Sequence, residues 1–203
     1  MGRADLAAAT RHLVTVDPAF AGIVAEAEPP KLARARPRRG HFAELARAIV
    51  FQQLHGKAAA TIHGRFAALF DGEPTPEAVL AMPVEALRGA GLSGNKAAAI
   101  RDLCEKVLAG AVELDRMGRL SDDAIVAELV TVRGIGRWTA EMFLMFELGR
   151  LDVWPVDDFG VRTGYAAVHA MTERPTAKEL LPLGDPYRPY RSVAAWYCWR
   201  AAG

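Results

Sequence analysis

Apolar residues along this chain recur at the spacing of helix faces, and no clean alternating stretch marks a strand. Leu6, Leu13, Phe42, Leu45, Ile49 and Leu69 belong to such patterns, and a period near 3.6 puts each set on one side of a helix. Alanine-rich stretches add intrinsic helix preference. The chain is therefore read as all-α. At 203 residues, 51% of them hydrophobic, it can bury roughly 70% of its unfolded surface. Such a core needs no disulfide or structural metal, and disorder is excluded as the main state.

The helical pattern is punctuated. Pro29-Pro30 ends the first region, and Lys31 to Gly40 carries five basic residues, Lys31, Arg34, Arg36, Arg38 and Arg39. That segment reads as a linker, either a solvated charged loop or a phosphate contact. From Phe42 to about Phe70 the pattern gives one or two helices. Thr75 is placed to cap the next, with Pro76 at its first position. Gly89, Gly91 and Gly94 mark a helix, a tight turn and another helix from Lys96 to Leu108. Ser121 followed by Asp122 and Asp123 reads as an N-cap with acids in the first turn.

Charge and cysteine count narrow the classes of function. Twenty-five Lys+Arg against 24 Asp+Glu leave a formal charge of +1, so a nucleic-acid site must be a local patch. Two cysteines, Cys104 and Cys198, are too few for a four-thiolate iron-sulfur cluster, and no Cys/His spacing suggests zinc. The first residues lack the unbroken apolar region of a signal peptide, and no run reaches membrane-spanning length. The expectation is a soluble cytoplasmic protein, nucleoid-associated if it binds DNA.

Leu129 to Ala140 is the most informative segment. Gly134 and Gly136 permit positive φ and close backbone approach, while Ile135 between them can plug the space between two helices. The following helix, from Arg137 to about Leu148, starts with its N–H groups exposed. Free amides at the positive end of a helix dipole suit a phosphate oxygen and need no base readout. On the residues alone, tight packing explains the turn equally well.

Beyond that helix runs Leu151-Asp152-Val153-Trp154-Pro155-Val156-Asp157-Asp158-Phe159-Gly160-Val161-Arg162. A hairpin followed by an Asp after a Pro-containing loop, at a helix start, resembles the helix-hairpin-helix (HhH-GPD) base-excision DNA glycosylases, and within them the 3-methyladenine DNA glycosylase II type. Three further stretches carry the likeness: Ala48 to His55, Gly91 to Lys96, and Tyr190 to Arg200. It extends from about Phe42 to the C-terminus. The resemblance implies one glycosylase unit of two helical lobes with a cleft between them. The central lobe would span about 42–150 and the second about 1–41 plus 151–203, without the β-rich N-terminal domain of some members.

The resemblance also implies site residues. Asp158 aligns with the catalytic Asp, with Asp157 as the alternative; either would otherwise be an ordinary N-cap. Trp138 stands where bifunctional members place a catalytic Lys, so no amine is present to form a Schiff base; its other reading is core packing. Trp199 matches a second pocket aromatic. With Met142 these would line a base pocket whose indole faces favour a cationic alkylated base. Met142 and Arg200 depart from the aromatics of bacterial relatives. Leu54, preceded by Gln53, matches a wedge that fills the gap left by a flipped nucleotide; its other reading is core burial. His55 would contact phosphate or cap a helix.

Lys96 and Arg137, with the hairpin residues Gly134 and Gly136, would meet phosphates; the other reading of Lys96 and Arg137 is a solvated charge near a helix start. The backbone carbonyls of Val130, Val132 and Ile135 match positions that bind a structural monovalent cation, Na⁺ or K⁺; no catalytic metal or other cofactor is expected. The implied activity is hydrolysis of the N-glycosidic bond of alkylated purines in duplex DNA by a monomer that binds no membrane. A hairpin module that binds DNA without chemistry is the alternative, and a redox-cluster glycosylase is disfavoured by the cysteine count and Trp138.

Overall fold

The computed structural model describes residues 3–32 and 40–203. The regular structure of the described residues is helical, with no strand among them. Most of the segment from Lys31 to Gly40 lies outside the described residues. Among those described, no helix is long and apolar enough to cross a membrane.

Among the described residues twelve α-helices follow one another: α1 (Arg3–Val16), α2 (Ala21–Glu26), α3 (His41–Phe51), α4 (Gly56–Ala67), α5 (Pro76–Ala81), α6 (Val84–Gly89), α7 (Gly94–Leu108), α8 (Asp122–Leu129), α9 (Arg137–Phe146), α10 (Phe159–Val168), α11 (Ala177–Leu183) and α12 (Arg191–Ala201). The caps read from the sequence are present. Thr75 accepts from Ala78 N–H at 3.2 Å and Ser121 accepts from Ala124 N–H at 3.2 Å. Each satisfies an amide that the first helical turn leaves without an intrahelical partner. The described chain falls into two compact units, residues 3–32 with 141–203 and residues 40–140.

In the unit that holds residues 40–140, α3 to α8 bury Leu45, Ile49, Phe66, Val79, Leu87, Ile100, Leu103 and Ile125. Two glycine turns repeat one device. Gly91 has φ +103 and Gly134 has φ +76, conformations that a Cβ disfavours. At Gly91 an added Cβ would also stand 3.1 Å from Ile62 Cγ1. Gly136 is different: its φ is not positive, and no atom lies within 4 Å of a Cβ built on it. The sequence reading of positive φ at both hairpin glycines holds for Gly134 and fails for Gly136, where the chain is already entering α9.

In the other unit, α10 and α12 pack face to face. A Cβ on Gly164 would sit 1.7 Å from the carbonyl oxygen of Cys198, so the two backbones touch where the side chain is missing. Around them lies a ring cluster of Phe20, Trp154, Tyr165, His169 and Tyr187. At its centre Asp17 Oδ2 accepts from the Tyr187 hydroxyl at 2.6 Å and lies 2.8 Å from His169 Nε2. Trp196 donates to Glu28 O at 3.1 Å, tying α12 to the segment after α2.

Asp17 carries a pH signature. Burial raises its pKa, but hydrogen bonds from Tyr187 and His169, with the His169 charge, outweigh that and hold it below the ordinary 3.8. The unfolded chain then binds the proton more readily, so this contribution is complete above pH 3.8 and is lost as pH falls through the depressed folded value. Asp17→Asn is expected to cost about 1–3 kcal/mol near neutral pH. In chemical denaturation at a series of pH values, that difference should shrink steadily below pH 4, read against the 3.8 of a free carboxyl.

Candidate active site

The carboxylate centre is built by α10 and α12. Asp158 is the N-cap of α10, in extended conformation, and its Oδ1 accepts from Val161 N–H at 2.8 Å. The same oxygen accepts from Trp199 Nε1–H at 2.8 Å. Asp158 is 9% exposed, whereas Asp157 next to it is exposed. Of the two acids, it is Asp158 that the fold encloses and orients.

The loop that delivers Asp158 is stapled from behind. Asp152 accepts from Arg191 Nε at 2.7 Å and Nη2 at 3.1 Å, a two-point grip, and from Arg188 Nη1 at 2.9 Å. Ser192, wholly buried, donates to Arg150 O at 2.8 Å and accepts from Val153 N–H at 3.0 Å. Asp158 N–H closes the last turn of the loop onto Pro155 O at 3.0 Å. The stretch Tyr190 to Arg200, singled out as a string of residues, thus has two jobs, holding this loop and carrying Trp199.

Trp199 is also fixed from its face. Its ring stacks on Phe146 with centroids 5.8 Å apart and planes 28° from parallel. Trp138, Met142 and Phe146 recur every four residues along α9, which sets them along one side of that helix. Trp138 is 46% exposed, which removes the core-packing reading. Met142 is half-buried. The Arg200 guanidinium lies over the Trp196 ring at 4.5 Å, so this departure from the aromatic pattern stacks on the neighbouring indole. Phe159, the residue after Asp158, is 63% exposed with the Arg174 guanidinium 3.9 Å over its ring.

In the unit of residues 40–140, a second set of predicted residues converges. The turn between α3 and α4 presents Gln53, Leu54 and His55 to solvent, and Leu54 is 38% exposed. Core burial of Leu54 is therefore set aside. Gln53 has φ +55, an uncommon conformation for a side-chain-bearing residue outside Asn and Asp. His55 is the N-cap of α4 but its side chain makes no capping bond.

Two residues hold that turn. Gln52 Nε2 donates to Gly134 O at 2.9 Å and to Thr139 Oγ1 at 3.3 Å, joining the turn to the glycine hairpin. Lys96 Nζ donates to Val50 O at 2.7 Å and Gln52 O at 2.8 Å, carbonyls at the C-terminal end of α3 and its cap. The sequence suggested phosphate for Lys96; the fold instead gives two of its three donors to a helix C-terminus. Burial lowers its pKa. Ile49, Gln52, Gln53, Ser93, Asn95, Lys96, Ala99, Arg133 and Gly134 surround a cavity of about 440 Å³ there.

The hairpin has its own anchors. Ile135 is 3% exposed and plugs the turn as its position between glycines suggested. Arg133 N–H donates to Asp102 Oδ2 at 2.7 Å, and Lys106 holds that carboxylate from the other side at 2.7 Å. Gly136 and Arg137 stand exposed at the start of α9. Of the three carbonyls matched to a cation, that of Val132 accepts from Ile135 N–H at 3.0 Å, which leaves it one lone pair. Neutral carbonyl oxygens are a hard donor set that fits Na⁺ or K⁺.

Phe146, Gln52, Asp152, Ser192 and Gly160 escaped the sequence reading. A Phe at helical spacing inside an apolar run carries no mark of its own. Their partners lie on other elements and emerge only with the fold.

Comparison with known proteins places these observations in a family. Residues 46–184 match the model of the HhH-GPD superfamily of base excision DNA repair proteins. The chain is 36% identical over 172 residues to DNA-3-methyladenine glycosylase 1 of Schizosaccharomyces pombe, covering 83% of this chain and 75% of that protein. Among solved structures, a 3-methyladenine DNA glycosylase from Schizosaccharomyces pombe in complex with abasic DNA superposes with a TM-score of 0.83 at 34% identity over 94% of each chain. A DNA-3-methyladenine glycosidase of Bacillus halodurans gives 0.85 at 35% identity, over 96% of this chain and 89% of that one.

Lys96→Met separates a structural lysine from a phosphate ligand. Removing the ammonium strands two carbonyls, so stability should fall by about 1–3 kcal/mol in chemical denaturation. The slope of log affinity for duplex DNA against log salt should stay as in the parent protein, whereas loss of a phosphate contact would flatten it by about one unit.

Proposed function

The chain belongs to the HhH-GPD superfamily of base excision DNA repair proteins, and on that premise we propose that it is a monofunctional DNA glycosylase acting on alkylated purines of the 3-methyladenine type. It hydrolyses the N-glycosidic bond in duplex DNA and leaves an abasic site. The observation that carries this reading is Asp158: an enclosed carboxylate, fixed by two N–H donors, at the N-terminus of α10.

The chemistry follows from charge. As the base departs, the sugar gains oxocarbenium character, and a preorganised carboxylate near C1′ stabilises that charge and orients the attacking water. Preorganisation matters because a rigid group does not reorganise during the step. An alkylated purine such as 3-methyladenine already carries positive charge and leaves readily, so one carboxylate suffices. Trp138 supplies no amine, so no covalent bond forms to the sugar and the strand stays intact at the abasic site.

Recognition is divided among groups of modest specificity. Indole faces attract a cationic base, which is the role assigned to Trp138 and Trp199, and Met142 is assigned to the same base pocket. Leu54, held out by the Gln53 turn, fills the stack that the flipped nucleotide vacates. His55, Gly134, Gly136 and Arg137 meet the phosphate backbone. The carbonyls of Val130, Val132 and Ile135 would hold a monovalent cation, which would add positive charge beside a phosphate. All these groups lie on one chain, so a monomer suffices, and the protein works where the genomic DNA is.

The test uses methylated duplex DNA, assayed for free bases and for strand breaks before and after alkali. The parent protein should release methylated purines and give breaks only after alkali. Asp158→Asn keeps a side-chain acceptor for the α10 cap, so it should bind DNA as before while base release falls by about 100-fold or more. Undiminished release by that variant overturns the catalytic assignment. A parent protein that binds DNA and releases no base is the non-catalytic hairpin module.

A further inference from the structure

A carboxylate held by one helix-capping bond is still free to swing. Val161 N–H donates to Asp158 Oδ1 from within α10. A second donor to that same oxygen, arriving from a different helix, narrows the positions it can take. Trp199 Nε1–H supplies it at 2.8 Å from α12.

The donor is itself immobilised. Indole has only two side-chain torsions, and here its face is stacked on Phe146 at 5.8 Å. Its pyrrole edge crosses the backbone at Gly160, where a Cβ would stand 2.8 Å from Trp199 Cδ1, 3.3 Å from Nε1 and 3.2 Å from Asp158 Oδ1. Gly160 has no positive φ to explain it. What requires glycine there is the passage of the indole edge and the carboxylate over one backbone position.

We propose that Trp199 is the positioning residue of Asp158, acting through its Nε1–H donated to Oδ1, and that Gly160 is the slot that admits it. The proposal rests on Asp158 as the catalytic carboxylate and adds a role distinct from base stacking. An aromatic that only stacks on a base contributes to binding. One that also holds the carboxylate contributes to the chemical step, since transition-state electrostatics depend steeply on where the charge sits.

Trp199→Phe keeps an aromatic against Phe146 and removes the N–H. In single-turnover release of 7-methylguanine, the maximal rate should fall by about tenfold or more, while affinity for abasic duplex DNA stays within about twofold. Gly160→Ala, which keeps the indole but displaces it, should show the same split. In an Asp158→Asn background, Trp199→Phe should cost nothing further, because it acts through that carboxylate. Melting temperature and helical circular dichroism identify folded variants, and if Trp199→Phe does not fold, Gly160→Ala carries the test.

A folded Trp199→Phe or Gly160→Ala protein with a rate within about twofold of the parent overturns the proposal. So does a loss confined to affinity, or an equal loss in the Asp158→Asn background. Should Asp158→Asn itself release bases at the parent rate, the catalytic reading of Asp158 falls instead, so the two failures are told apart.

Discussion

The backbone contact at Gly164 is the constraint on which the carboxylate centre depends. Because Gly164 has no side chain, α10 lies directly on Cys198 of α12, where a Cβ would come within 1.7 Å of a carbonyl oxygen. One residue further along α12 is Trp199, and one turn back along α10 is Gly160. The closeness of the two helices at one end thus decides whether the indole N–H at the other can reach Asp158. A small residue matters here for what it permits between its neighbours. Core interiors are packed to the density of organic crystals, so a shift at one layer is passed to the next.

The unit of residues 40–140 solves a different problem. Its exposed turn carries Gln53 in a left-handed conformation and Leu54 facing water, neither of which favours order. Lys96 and Gln52 supply that order. The lysine ties the end of α3 from beneath, and the glutamine amide links the same turn to the glycine hairpin. The turn that carries Leu54 and the glycine hairpin are therefore one piece of framework. On the proposed reading, the amides at the start of α9 would add partial positive charge that a residue count, at a formal +1, misses.

What the sequence showed and what it hid divide along a physical line. Local chemistry was readable. Thr75, Ser121 and Asp158 announce themselves as caps because the amide each one accepts from lies three residues ahead. Ile135 between two glycines announces a plug. Leu54 and Trp138 were ambiguous because burial is a property of the fold, and their exposure resolved them. The structural ties of Lys96 were hidden, since its carbonyl partners stand 46 and 44 positions earlier. Gly160 and Phe146 were invisible for the same reason: each is defined by Trp199, which approaches from another helix. Asp158 was legible as a cap by its spacing, while its catalytic role is what family likeness implies; in the fold its Oδ1 accepts both the capping amide and the Trp199 N–H.

Leu54 and Trp138 expose large apolar surfaces to water in the free protein, at 38% and 46% of their full area. Water ordered around such groups is released when a duplex covers them, and that release lowers the heat capacity of the system. Counterion release from phosphates responds to salt instead. On the proposed reading of Leu54 as a wedge, calorimetry over a range of temperatures would register its seating as a falling binding enthalpy, separately from the phosphate contacts, which a salt titration registers.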